Sequence, residues 1–144
     1  MKRSSLNLQR NASLPEKLRY QVVFTVASRR DILDILGRSA QEFGVAAASR
    51  YEALIAQGVR DLRIDPKRPG SKEHPGLMAP GARTYHLSFS RKHLPGNKVK
   101  SPRHFILYRS PAPGLIEIGR VLDESRDLVR HLPEGYRRTA GDEA

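Results

Sequence analysis

His86, Arg91, Tyr108 and Arg120 are side chains of the types that cleave RNA without a metal. That reaction needs a base for the 2′-hydroxyl proton, cations around the phosphate in the transition state, and an acid for the leaving oxygen. His86 and His104 fall on predicted strands, Arg83, Arg91 and Arg109 stand at strand ends, and Tyr108 and Arg120 belong to the last two strands. A histidine on a polar strand face is more often a hydrogen-bonded surface group than a base. Arginines at strand ends serve equally well as electrostatic anchors for a partner. Cleavage and binding are therefore both open at this point.

Several other chemistries have no footing in the sequence. There is no cysteine, which removes disulfides, thiol nucleophiles and thiolate metal sites and agrees with a reducing cytoplasm. The histidines show no ligand spacing, so no metal or other cofactor is expected. The glycine-rich phosphate loop, the dinucleotide fingerprint, the zinc-protease helix motif and the nucleophile elbow are all absent. The longest apolar run, around Tyr20 to Ala27, is far shorter than the ~20 residues of a membrane span, and the basic start is followed by no apolar signal stretch.

Charge is the strongest compositional signal. The 144-residue chain carries a net charge of +11. Between Pro66 and Arg109 ten lysines and arginines face the single acid Glu73, with His74, His86, His93 and His104 in the same window. Such a block attracts a polyanion, either nucleic acid or an acidic peptide.

The elements that must carry these residues can be read from periodicity. A basic arm over 1–18 precedes a strand, Tyr20–Val26, with Tyr20, Val22, Phe24 and Val26 on one side. Ser28 with Asp31 three residues on reads as a helix start, and Ile32, Ile35, Leu36, Ala40 and Phe43 form its apolar stripe up to Gly44. A second helix over 46–62 follows at once, so the two pair as an antiparallel helical hairpin. The Pro- and Gly-rich stretch 65–81 returns the chain to three strands, Arg83–Phe89, His104–Tyr108 and Leu115–Val121, with Tyr85, Leu87 and Phe89 facing the core. The long basic loop 90–103 and the Pro111–Gly114 turn join them. A short helix capped by Asp123 closes the domain, and 134–144 reads as a frayed tail. The expected fold is thus α+β in the order β-α-α-β-β-β, with the domain spanning 19–133 and the hairpin packed on one face of a small antiparallel sheet.

This order, together with the segments Phe24–Ala27, Asp31–Ile35, Phe43–Gly44, Arg50–Tyr51, Asp65–Ser71, Pro80–Gly81, Arg83–Leu87, Ser90–Arg91, Val99–Arg109 and Ile116–Leu122, resembles the RelE/ParE family of type II toxin components. ParE-type plasmid stabilisation toxins are the nearest in wording. The resemblance implies a small toxin neutralised by an antitoxin, a DNA-binding protein that wraps it with a flexible segment. ParE-type members act on DNA gyrase, whereas RelE-type members cleave mRNA on the ribosome. Asp123 follows Leu122 where many family members carry His, so the likeness does not extend to a C-terminal catalytic histidine. On this reading the partner surface is the sheet face opposite the hairpin, with Arg83, Tyr85, Arg91, Lys98, Lys100, Arg103, His104, Arg109 and Arg120 as contacts. The ribonuclease reading, with His86, Arg91, Tyr108 and Arg120 as its residues, is the alternative, and a non-toxic member that only binds is a third.

Overall fold

A computed structural model describes residues 19–96 and 99–142 of the chain. The basic arm expected over 1–18, and Lys98, lie outside the described residues.

The α+β class and the succession of strand, two helices and strands are as expected, but the stretch 65–81, expected to be irregular, contributes an additional short strand. Strand β1 (Gln21–Phe24) leads into helices α1 (Val26–Phe43) and α2 (Val45–Ile64), followed by β2 (Ser71–Glu73), β3 (Arg83–His86), β4 (His104–Ala112) and β5 (Leu115–Asp123). The strands form one sheet in the order β1-β5-β4-β3-β2. β1 lies parallel to β5, with Val22 opposite Ile116 and Phe24 opposite Ile118, so the sheet is mixed. The remaining pairs are antiparallel. Among the described residues no helix is long and apolar enough to cross a membrane.

The first helix starts earlier than its sequence signal. Thr25, not Ser28, is the cap: its Oγ1 accepts the Ser28 N–H at 3.0 Å and donates to Gly119 O at 2.8 Å, tying the helix start to β5. Ser28 is buried instead, donating back to Thr25 O. Gly44 alone separates the two helices, and its φ of 96° is the left-handed turn that lets α2 reverse direction immediately.

The hairpin covers one sheet face. Leu54, Ile55, Val59 and Leu62 of α2 meet Tyr85, Ile106, Tyr108, Ile116, Ile118 and Val121, with Ile32, Ile35 and Leu36 of α1 packed at the side. This is where apolar burial, at ~25 cal/mol per Å² removed from water, stabilises the domain most.

The opposite face is covered too. Met78, Ala82, Leu107, Leu132 and Tyr136 form a second buried cluster with Leu128 against it. The segment after β5 folds back in short 3-10 turns, Val129–His131 and Glu134–Tyr136, and Tyr136 is 1% exposed. The tail expected to fray from 134 onward is therefore docked at Tyr136. Gly119 makes the docking possible: it is the extra residue of a bulge between Leu107/Arg120 and Tyr108/Ile118, and a Cβ there would lie 2.6 Å from the Tyr136 ring.

A further difference concerns β3, which stops at His86 rather than at Phe89. The His86 ring accepts the Ser88 N–H at 3.1 Å and starts a 3-10 helix over Leu87–His93. Leu87 turns inward as expected, but Phe89 is largely exposed.

Candidate functional site

The predicted contact residues divide into buried scaffold and exposed cations. Tyr85 is fully buried, and its hydroxyl sits 2.8 Å from Ser90 Oγ, which donates to Asp61 Oδ2 at 2.6 Å. Asp61 also receives Gln57 Nε2 at 2.9 Å and lies 2.8 Å from His93 Nδ1. This buried carboxylate clamps the Leu87–His93 turn onto α2. Tyr108 is equally buried, its hydroxyl bonded to Ser71 Oγ and Pro66 O. Arg83 joins the same knot, donating to Ser71 Oγ at 2.6 Å and lying 3.7 Å from Glu73. Burial pushes the Tyr85 and Tyr108 phenols up from their ordinary range, so both hydroxyls stay protonated at neutral pH. In this conformation neither tyrosine offers a surface to a partner.

Three more cations are committed inside the chain. Arg120 is held by Asp31 through Nε and Nη2, at 2.7 and 2.8 Å, which raises the guanidinium pKa further. Arg109 pairs with Glu117 at 2.9 Å, lies over the Tyr136 ring at 4.9 Å from its centre and donates to Gly135 O. Arg91 donates through Nε to Val99 O.

His104 and its neighbours form the most polar cluster on the sheet's end. His104 Nδ1 is 2.6 Å from Tyr51 Oη, whose oxygen also accepts the Arg103 N–H at 3.1 Å. Asp123 lies 3.9 Å from His104 Nε2 and 3.7 Å from Arg103 Nε. Burial holds the His104 pKa below its ordinary 6.5, against the pull of Asp123. His86 is engaged elsewhere, 2.9 Å from Glu124 and 2.8 Å from Ser88 Oγ. Exposed cations around this end are Lys100 and Arg103, with Lys92 on the preceding turn.

His86, Arg91, Tyr108 and Arg120 therefore belong to four separate networks, ending on Glu124, Val99, Pro66 and Asp31 respectively. Among the described residues no hydrogen bond or ion pair joins any two of the four. Among the described residues there is also no group of His, Asp and Glu that could hold a metal ion.

A feature missed in the sequence lies on the other side of the molecule. Between β1, α1 and α2 runs a groove of about 560 Å³, lined by Phe24, Ile32, Ala56 and Val59 with Glu52, Gln57, Arg60 and Arg63 as its polar residues. Arginines 60 and 63, one helical turn apart beside the apolar stripe of α2, were the available signal.

With this geometry in view, the fold can be compared with known structures. Neither a protein-family model nor a curated protein matches the sequence. Among solved structures, a chain titled as the chromosomal ParDE TA system from P. aeruginosa superposes with a TM-score of 0.54 at 15% identity. The match covers 74% of this chain and 97% of that one. The fold is ParE/RelE-like. At this identity the likeness is one of architecture, and it extends over nearly all of the matched chain.

Proposed function

We propose that this chain is the toxin component of a type II toxin–antitoxin system, acting in the cytoplasm. It works in the ParE manner, by binding DNA gyrase and blocking replication, and a cognate antitoxin silences it through a flexible segment. The observation that carries this reading is the likeness of fold to a chain of a ParDE toxin–antitoxin system over 97% of that chain's length. Action by binding is supported by the engagement of His86, Arg91, Tyr108 and Arg120 with Glu124, Val99, Pro66 and Asp31, which commits these groups to the scaffold.

On this reading the buried tyrosines and the paired arginines hold the scaffold, while Lys100 and Arg103, exposed at the end of the sheet, supply long-range attraction to an acidic partner. Individually such exposed pairs contribute only ~0.2 to 1 kcal/mol, so apolar anchors must carry most of the affinity.

Expression of the chain alone is expected to arrest growth with a DNA-damage response, and the purified protein to inhibit gyrase supercoiling. Undiminished supercoiling at saturating protein would overturn the gyrase reading. Cuts in ribosome-bound mRNA, phased to codons, would assign the ribosome-dependent endonuclease reaction in its place. Harmless overexpression would leave a binding protein without toxicity.

A further inference from the structure

Phe89 is an aromatic ring held at the surface of a rigid turn. It is 42% exposed, on the 3-10 helix Leu87–His93, whose side chains Leu87 and Ser90 are fully buried. The ring lies over Gly70: a Cβ at that position would stand 2.6 Å from Cγ and Cδ2 of Phe89 and 2.9 Å from Cδ1. Gly70 has a φ of 100°, in the left-handed region, and any side chain there would push the ring away. Tyr85 flanks the ring with centres 5.8 Å apart and planes inclined by 31°. Ser90 donates to Asp61 Oδ2 at 2.6 Å and His93 Nδ1 lies 2.8 Å from the same oxygen, so the buried carboxylate grips the turn directly after Phe89 and again directly after Lys92. A ring mounted in this way has little freedom left to lose when a ligand stacks on it.

Cations surround the ring. Residues three apart eclipse on a 3-10 helix, so Lys92 stands on the same face as Phe89. Lys67 belongs to the successive turns, closed by Arg68 N–H to Asp65 O and Ser71 N–H to Arg68 O, that carry Gly70. Both lysines are exposed, and among the described residues neither side chain makes an ion pair. Arg68 adds charge from beneath, its Cζ 5.9 Å from the centre of the Tyr85 ring and its Nε buried with no hydrogen-bond partner among the described residues. The exposed acid of the turn, Asp65, is engaged by the Lys67 N–H. A partly exposed ring between cations suits a ligand made of flat apolar groups joined by negative charges.

We propose that Phe89, seated on Gly70, is a stacking platform for a base of single-stranded DNA, with Lys92 and Lys67 on the flanking phosphates. A duplex keeps its base faces covered, so a single strand is the form that can use the ring. The proposal deepens the toxin reading and rests on it, through gyrase as the target, for the choice of DNA over RNA.

The test uses the full chain and a short fluorescein-labelled oligothymidylate, with binding read by anisotropy. The chain contains no tryptophan, so Phe89→Trp places a single indole at the platform, and its emission is expected to be quenched by the oligonucleotide. Phe89→Leu keeps apolar cover over Gly70 and Tyr85 without an aromatic face, and is expected to weaken binding about tenfold or more. Lys67→Gln and Lys92→Gln are each expected to flatten the dependence of log K on log salt by about 0.7. Circular dichroism establishes that each variant is folded. The proposal is overturned if oligothymidylate does not bind, if folded Phe89→Leu binds as wild type does, or if duplex DNA of the same length binds equally tightly. It is overturned in favour of an acidic protein partner if polyglutamate displaces the label as well as unlabelled oligothymidylate does. Tighter binding of oligouridylate would give the platform to RNA and overturn the choice of DNA. Supercoiling is measured separately: oligothymidylate binding with undiminished supercoiling removes the gyrase reading alone, and gyrase inhibition without oligothymidylate binding removes the platform alone.

Discussion

Asp31, in the second turn of α1, grips Arg120 of β5 with both carboxylate oxygens and accepts the Val121 N–H with one of them at 2.9 Å. One side chain thus joins the helix layer to the strand next to β1. Arg120 continues to His131 O at 3.3 Å, so the same link reaches the segment that covers the far sheet face. The residues are half-enclosed, with side-chain exposures of 22% for Arg120 and 13% for Asp31. Charge-assisted bonds in such a setting are strong, and removing one partner leaves the other poorly solvated.

Asp31→Ala is therefore expected to lower stability by about 2 to 3 kcal/mol. Urea unfolding followed by circular dichroism checks this, and an unchanged midpoint would show that solvent replaces the carboxylate without loss.

Asp61 offers a second test. Its carboxylate receives Ser90 and Gln57 and contacts His93, while the Tyr85 hydroxyl depends on Ser90. Asp61→Ala strands the buried Ser90 hydroxyl and releases Gln57 and His93, and is expected to cost about 3 kcal/mol, against about 1 kcal/mol for Ser90→Ala. A double-mutant cycle on the pair is expected to give a coupling of at least about 0.5 kcal/mol. Strict additivity would separate the two residues.

Tyr136 holds the far layer. Tyr136→Ala empties a buried site beside Met78, Leu107 and Leu132 and is expected to cost about 3 to 5 kcal/mol, with increased binding of a hydrophobic dye. Gly119→Ala reaches the same site from the sheet side, because the new methyl would meet the ring. A loss of about 1 to 3 kcal/mol is expected from that overpacking. Equal stability of wild type and Gly119→Ala would show that the ring swings aside freely.

His104 sets a pH dependence. Burial depresses its folded-state pKa below 6.5, so in the window from about 6.5 downward to that folded value the unfolded chain binds more protons than the folded one. Stability must then fall as pH drops through this window and level off below it. His74, also depressed by burial and by Lys72, adds in the same direction. Asp123, whose pKa is lowered by Ser125, acts only below its ordinary 3.8 and does not blur the effect. Denaturant midpoints at pH 7.5 and 5.5 are expected to differ in wild type and to converge partly in His104→Phe. No narrowing of the gap would exclude His104 as the titrating group.

The sequence by itself determined the α+β class, the order of the longer elements and the helical hairpin, but not the short strand Ser71–Glu73. Periodicity, the helix-ending Gly44 and the proline-rich stretch 65–81 are local signals, and they act through backbone geometry that neighbours in space do not alter. It also identified Tyr85, Ile106, Tyr108, Ile116 and Ile118 as members of strands with a buried face. What it left undecided was which polar groups meet. Asp31 and Arg120 are separated by 89 positions, and Tyr51 and His104 by 53, so no local pattern announces either pair. The same holds for Tyr136, whose burial depends on Gly119 of a distant strand, and for the parallel place of β1 at the sheet edge. Composition supplied the cations, and only the tertiary structure decided which of them are spent inside the fold and which face outward. An arginine's availability depends on the carboxylate that long-range packing brings to it.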